Sequence, residues 1–201
     1  MRGSGRRGAL GGTDGAHCSR DLSRRCVKVV WMSVNADITT CQIGGNPESR
    51  GWAQEIAPDT GVVQVASYAS VNDVGRAINP TIVIGQLDGG AVQGLGQALC
   101  EQMVYERESG QLQTGTLMDY ALPRVDLIQR FNTQLDQSTP CLTNPLGVKG
   151  VGELGTIGAT PAVVNAVVDA LQRAGAGARA DQLQMPLTSE RVWSALHGRT
   201  A

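Results

Sequence analysis

The chain reads as an α+β protein, a mixed sheet with packed helices, on three observations. Apolar residues alternate with polar ones over 61–74, the spacing of a strand. They recur every three to four residues over 91–103 and 161–171, the spacing of a helix. The segments follow one another in irregular order, which argues against a regular strand–helix–strand winding.

Taken along the chain, residues 1–50 carry arginine, glycine and serine, and their one apolar run, 27–31, is broken by Lys28. Such a stretch buries too little apolar surface to offset its ordering entropy and is expected to be a disordered leader. No aromatic interleaving or basic helix accompanies the arginines, so they do not read as a nucleic-acid arm. Arg6-Arg7 lacks the apolar segment that should follow an export signal. The text changes character near Trp52, which divides the chain into a leader, 1–51, and a domain, 52–201.

Asp59-Thr60-Gly61 is a turn between the strand-like runs 54–58 and 61–74, the latter carrying Val62, Val63, Val65, Ala66 and Tyr68. Asn79-Pro80 interrupts. Residues 82–84 then lead into the glycine-rich run 85–90, followed by a helix over 91–103 on Val92, Leu95, Leu99 and Met103. Residues 104–106 and 112–114 form a hairpin around Ser109-Gly110. A polar connection marked by Pro123, Pro140 and Pro145 reaches the next helix, which opens on Pro161, where a missing N–H does no harm. Gly175 and Gly177 end it, and Thr188 or Ser189 caps a last helix.

Composition sets limits. Of the 201 residues 41% are apolar but only 3% aromatic, so the core is built from Val, Ile, Leu and Ala. A net charge of −1 gives no reason to expect a nucleic-acid or anionic-membrane partner. Five cysteines, odd in number and without CxxC spacing, fit reduced thiols and a cytoplasmic setting better than disulfides or zinc. No uninterrupted apolar stretch approaches the ~18 residues of a membrane span. Ten of the 26 glycines gather at 85–96 and 147–158, the signature of close backbone approaches rather than of a linker.

The second cluster, Gly150-Val151-Gly152-Glu153-Leu154-Gly155, matches the dinucleotide fingerprint literally. That fingerprint needs a strand before it and an acidic residue ending a second strand about 20 positions on. Here a loop containing Pro140 and Pro145 precedes it, and helix text follows, so the reading fails on both sides. The carboxylate inside the loop is the better lead. Glu153, flanked by Gly152 and Gly155, has no neighbouring bulk to hide it from a ligand. A carboxylate so placed works as a general base once desolvation brings its proton affinity toward the working range. The alternative is that Glu153 caps a helix starting near Thr156.

The run from Gly147 through Lys149 and Gly150-Val151-Gly152-Glu153 to Thr156 resembles the glutamate-bearing segment of the molybdenum hydroxylases, the xanthine dehydrogenase and aldehyde oxidase family. Asp73-Val74-Gly75-Arg76-Ala77-Ile78-Asn79-Pro80 and the stretch from Gly85-Gln86 to Gly96 resemble that family's cofactor-contacting turn and helix. Met185-Pro186-Leu187-Thr188-Ser189-Glu190 is similar to the ending of its carbon monoxide dehydrogenase branch. The resemblance covers about 54–196 and implies the second molybdopterin-binding domain of the large subunit.

It implies Glu153 as catalytic base and Gln86, Gly85, Gly89, Gly90, Lys149, Gly150 and Gly152 as cofactor-binding residues. Gln86 would bond the pterin edge, Gly94 would help keep the backbone close, and no residue is assigned as a direct metal ligand. The cofactor would be molybdenum–molybdopterin in its cytosine dinucleotide form, with iron–sulfur centres and FAD on partner subunits. Partners would be the rest of the molybdopterin subunit, an iron–sulfur subunit and a flavin subunit. The reaction would be hydroxylation of an aldehyde, N-heterocycle or similar electrophilic carbon. The chain by itself is expected to be inactive, since one wall does not make a preorganised site. An inactive remnant with a partner-binding role is the competing reading.

Overall fold

The computed structural model describes Cys26–Lys28, Ser33–Asn35, Cys41–Gln42 and residues 53–198. Within the stretch expected to be a leader, the described residues are three short strands, β1 (Cys26–Lys28), β2 (Ser33–Asn35) and β3 (Cys41–Gln42). The rest of 1–51, with Arg6-Arg7, lies outside the described residues.

The alternating run becomes β5 (Val63–Asp73), joined to β4 (Ala53–Ile56) by the turn expected at 59–61. Gly61 closes that turn at φ +70, and a Cβ there would overlap the backbone of Ser189. Along β5 the buried positions are Val63 and Val65, then Tyr68 and Asn72, so the inward parity changes midway. The pairing explains it. Ala53 faces Ser67 while Gln54 faces Val65, a bulge at Ala66 that inserts one unpaired residue and flips the side chains beyond it.

The sheet has six strands, in the order β1-β4-β5-β2-β3, with β6 (Phe131–Asp136) pairing parallel to β5 over Tyr68–Asp73. β6 lies inside the stretch read as a polar connection. Its only apolar side chains are Phe131 and Leu135, and pairing with β5 rather than an apolar pattern holds it. The hairpin expected around Ser109-Gly110 is present as a single bridge, Tyr105 to Leu112, with Gly110 at φ +71.

Both long helices start earlier than their spacing suggests. α1 runs Pro80–Leu99, so Asn79-Pro80 begins a helix instead of interrupting the chain. Asn79 Oδ1 accepts the Ile82 N–H, and Pro80 occupies the first turn. Residues 85–90, placed ahead of the helix by the sequence, therefore lie inside α1. α2 runs Leu154–Arg173 and carries Pro161 within it rather than at its start. Packing of its first turns against α1 outweighs the poor helix propensity of Gly155 and Gly158. Gly175, at φ +90, ends α2. α3 (Ala178–Asp181) and α4 (Ser189–His197) follow, the latter capped by Thr188, whose Oγ1 accepts the Arg191 N–H.

One core joins sheet and helices: Val65 and Tyr68, Leu95 and Ala98, Val163, Val167 and Leu171, and Val192 are all nearly or fully buried. α2 is long and apolar enough by composition to cross a membrane, but most of its apolar side chains are packed in this core. A smaller cluster of Val74, Leu87 and Leu154 lies where β5, α1 and α2 meet. It anchors the residues next to Gln86 and Glu153.

Candidate active site on the α1 and α2 face

The loop that carries Glu153 is fastened to the end of β5. Gly75 turns at φ +59 and Gly147 at φ +69, and the two segments bridge through Gly75 and Val148. Arg76 N–H donates to Gly147 O at 2.9 Å, and Lys149 N–H to Val74 O at 3.1 Å. Asn144 folds the preceding turn, accepting the Leu146 and Val148 N–H groups on Oδ1 and donating from Nδ2 to Val148 O. Lys149 Nζ meets Asp73 Oδ2 at 2.5 Å with both side chains mostly buried, and Asp73 Oδ1 also accepts the Gly75 N–H. The ammonium that sequence reasoning gave to the cofactor is thus engaged inside the chain, tying the loop to the sheet.

From this platform the chain enters α2. Glu153 occupies the cap position at φ −109, ψ −5, yet its side chain makes no capping hydrogen bond and is exposed. Its carbonyl takes the Thr156 and Ile157 N–H groups, so the backbone opens the helix while the carboxylate stays out of that task. The preceding carbonyl, Gly152 O, accepts Gln86 Nε2 at 2.8 Å. Gln86 and Glu153, 67 positions apart in sequence, share one exposed face.

The glycines separate into two sets. A Cβ at Gly85, Gly89, Gly150 or Gly152 would meet nothing within 4 Å, so the surface around Gln86 and Glu153 is low and open. Gly90 and Gly94 face inward. A Cβ at Gly90 would lie 3.2 Å from Gly155 Cα, and one at Gly94 would lie 2.8 Å from Ala159 Cβ. For Gly90 and Gly94 the close approach read as serving a cofactor is an approach of α1 to α2. Sequence reasoning missed the partners of these inward glycines. Thr156 Oγ1 donates to Gly90 O at 2.9 Å, and Thr160 Oγ1 to Gly94 O at 3.1 Å. A four-residue step of threonines matching a four-residue step of glycines was the available signal.

Behind the site, the Thr133 hydroxyl bonds Asp88, and burial together with the Asp88 carboxylate pushes the Tyr68 phenol well above its usual range. Tyr68 is therefore a neutral core group. Among the described residues no three His, Cys, Asp or Glu side chains gather as metal ligands. A cavity of about 750 Å³ opens under 117–124, and none of Gln86, Lys149 or Glu153 lines it.

The dinucleotide reading does not survive. Among the described residues no named strand leads directly into Gly150, the nearest, β6, ending at Asp136, and none follows α2. A flat, many-acceptor heterocycle does fit the outward strip, where an amide with unused donor and acceptor capacity stands between glycines that leave open space above them. The family described as Molybdopterin cofactor-binding domain matches residues 53–129, which include Gln86, Gly85 and Gly89. The chain belongs to the molybdenum hydroxylase family, related to a stretch of its molybdopterin-binding large subunit.

Among its relatives, the nicotine 6-hydroxylase large subunit of Paenarthrobacter nicotinovorans is 43% identical over 144 residues, 72% of this chain and 17% of that one. The carbon monoxide dehydrogenase large chain of Hydrogenophaga pseudoflava is 38% identical over 138 residues, 68% of this chain and 16% of that one. The crystal structure of quinoline 2-oxidoreductase from Pseudomonas putida 86 superposes with a TM-score of 0.65 at 37% identity, covering 74% of this chain and 18% of that one. The chain spans about a sixth of the length of the curated relatives it matches.

Proposed function

We propose that this chain supplies the base-bearing wall of a molybdenum hydroxylase active site, with Glu153 as general base. The observation that carries the reading is a carboxylate at the head of α2 that is exposed, makes no cap and sits beside the Gln86–Gly152 bond. When bound, the molybdenum–pterin group supplies oxygen transfer and takes up the electrons. Glu153 takes a proton at a carboxylate oxygen as the substrate's electrophilic carbon is attacked. Gln86 spends one N–H on Gly152 O and keeps its other N–H and Oε1 for the pterin edge. Gly85, Gly89, Gly150 and Gly152 keep the backbone low enough for a planar group to approach. Lys149 and Gly90 act one layer back, holding the loop and the helix crossing.

The substrate class in this reading is an aldehyde, N-heterocycle or similar electrophilic carbon. The names of the nicotine and quinoline enzymes support the heterocycle. The cytosine dinucleotide form of the cofactor, an iron–sulfur subunit, a flavin subunit and the remainder of the large subunit belong to the same proposal. So does a cytoplasmic setting, in keeping with the unpaired thiols of Cys100 and Cys141.

Glu153→Gln in the assembled enzyme tests the claim. The amide keeps size and a hydrogen-bonding oxygen but takes no proton. Cofactor content should stay normal while reduction by substrate slows at least ~10²-fold, the lower range for a general base. Stopped-flow reduction at the wild-type rate would remove Glu153 from the mechanism.

A further inference from the structure

Three of the hydrogen bonds between α1 and the base loop or α2 share one offset, while a fourth, Thr160 Oγ1 to Gln97 Oε1 at 3.1 Å, gives the same hydroxyl a second acceptor. Gln86 reaches Gly152, Thr156 reaches Gly90 and Thr160 reaches Gly94, each pair separated by 66 residues. Four residues along one helix match four along the other, so α1 and α2 run side by side in the same direction and in register. The glycines make this possible. Gly90, Gly94 and Gly155 lie at the crossing, where a Cβ on Gly155 would overlap the Leu87 carbonyl oxygen. With the backbones this close, a threonine hydroxyl reaches the second lone pair of a carbonyl already used within α1.

The repeat brings its own ambiguity. A slip of one turn would place Thr156 at Gly94, another small residue with a helical carbonyl, and Thr160 at Ala98, a small residue whose carbonyl already accepts the Leu187 N–H at 2.7 Å. It would carry Glu153 about 6 Å along α1, four residues at ~1.5 Å each. The Gln86–Gly152 bond sits at the end of the ladder and has no equivalent in the slipped register.

We propose that this ladder is a register lock for the catalytic base, and that Thr156, seconded by Thr160, is a positioning residue that fixes Glu153 over the open face of α1. The proposal rests on Glu153 being the base. Thr156 stands within the first turn that Glu153 opens, its N–H on the Glu153 carbonyl at 3.1 Å. Loss of its hydroxyl frees the loop without orphaning a buried acceptor, because Gly90 O keeps its intrahelical donor. Displacement of a base by ~1 Å is enough to cost about 10²-fold in rate.

The test uses the full chain in its assembled enzyme, with Thr156→Val, Thr156→Ser and Thr160→Val. Hydrogen exchange of the amides of 150–157 reads the lock directly. Thr156→Val should speed that exchange at least about tenfold and lower kcat by about 10–100-fold, with KM and cofactor content within about twofold. Thr156→Ser, which keeps the hydroxyl, should restore both, and Thr160→Val, one turn further from the base, should show a smaller version of each. Exchange at the wild-type rate in Thr156→Val overturns the lock, as does a Ser variant no better than Val. Should Thr156→Val fail to assemble, unchanged exchange and kcat in Thr160→Val overturn it equally. The Glu153→Gln enzyme run beside them separates the two claims. If it turns over normally the base assignment falls, and the exchange data still decide whether the ladder holds the loop.

Discussion

The two faces of α1 put the same residue type to opposite uses. On the inward face Gly90 and Gly94 let α2 come close enough for its threonines to bond α1 carbonyls. On the outward face Gly85 and Gly89 flank Gln86 with nothing above them. An inward glycine is required by what the structure already contains. An outward glycine has no such requirement, and in a helix it costs stability relative to alanine. A residue that weakens its own helix and packs against nothing points to something that approaches from outside.

Substitution by alanine puts that contrast to the sharpest trial. Gly155→Ala drives a methyl into the Leu87 carbonyl, and Gly94→Ala puts one 2.8 Å from Ala159 Cβ. Both sit in the one seam, so each should destabilise by about 1–3 kcal/mol, as overpacking does. Gly155→Ala should be the worse, because the obstacle there is backbone and cannot rotate away. Chemical denaturation of the variants measures both, and a neutral Gly155→Ala would mean the helices stand further apart than described.

The partition between these faces was only half legible in the sequence. The spacing of Val92, Leu95 and Leu99 gave the second half of α1 but ran on to Met103, which is exposed beyond the helix end at Leu99, and Thr188 gave the start of α4. The first half of α1 was hidden because Gly85, Gly89 and Gly90 look like a turn, and Asn79-Pro80 like a break. In physical terms Asn-Pro is a cap followed by a residue that needs no N–H partner. Pro161 misled in the same way at α2, where packing of Gly155 and Ala159 on α1 starts the helix ahead of the proline. β6 left no apolar pattern to read, since its place is set by backbone pairing with a strand 63 residues earlier. Of the candidate site, Gln86 and Glu153 were singled out in the sequence, but the bond that brings their segments together is a tertiary fact.

Lys149 probes the layer between the faces. Its ammonium and the Asp73 carboxylate are each under a fifth exposed, so the pair is largely shielded from solvent. Lys149→Met should destabilise by about 1–3 kcal/mol, the scale of a hydrogen bond to a charged group. Cofactor occupancy at temperatures well below unfolding should be unchanged, since the ammonium is engaged with the sheet. A variant of wild-type stability that loses cofactor would return Lys149 to the outward face.

The smallest effect is the most telling, because its two parts have opposite signs. Gly89→Ala adds a methyl on an open helix surface, with no atom within 4 Å to obstruct it. Alanine loses less backbone entropy than glycine on entering a helix, so the variant should gain about 0.5–1 kcal/mol. Gly85→Ala, in the same helix and equally open, should gain a similar amount. If the strip is only solvent-facing surface, that gain is the whole outcome and the assembled enzyme should carry its full complement of cofactor. If a planar cofactor lies against α1, the added methyl lifts it away from the Gln86 amide, and molybdenum and pterin content should fall while the protein grows more stable. A destabilised protein that loses its cofactor would be uninformative about the surface, but here the two quantities move apart. Paired measurement of thermal midpoint and metal content in Gly85→Ala and Gly89→Ala therefore isolates contact with the cofactor from folding. Stabilised variants with undiminished molybdenum would show that these glycines do not face it.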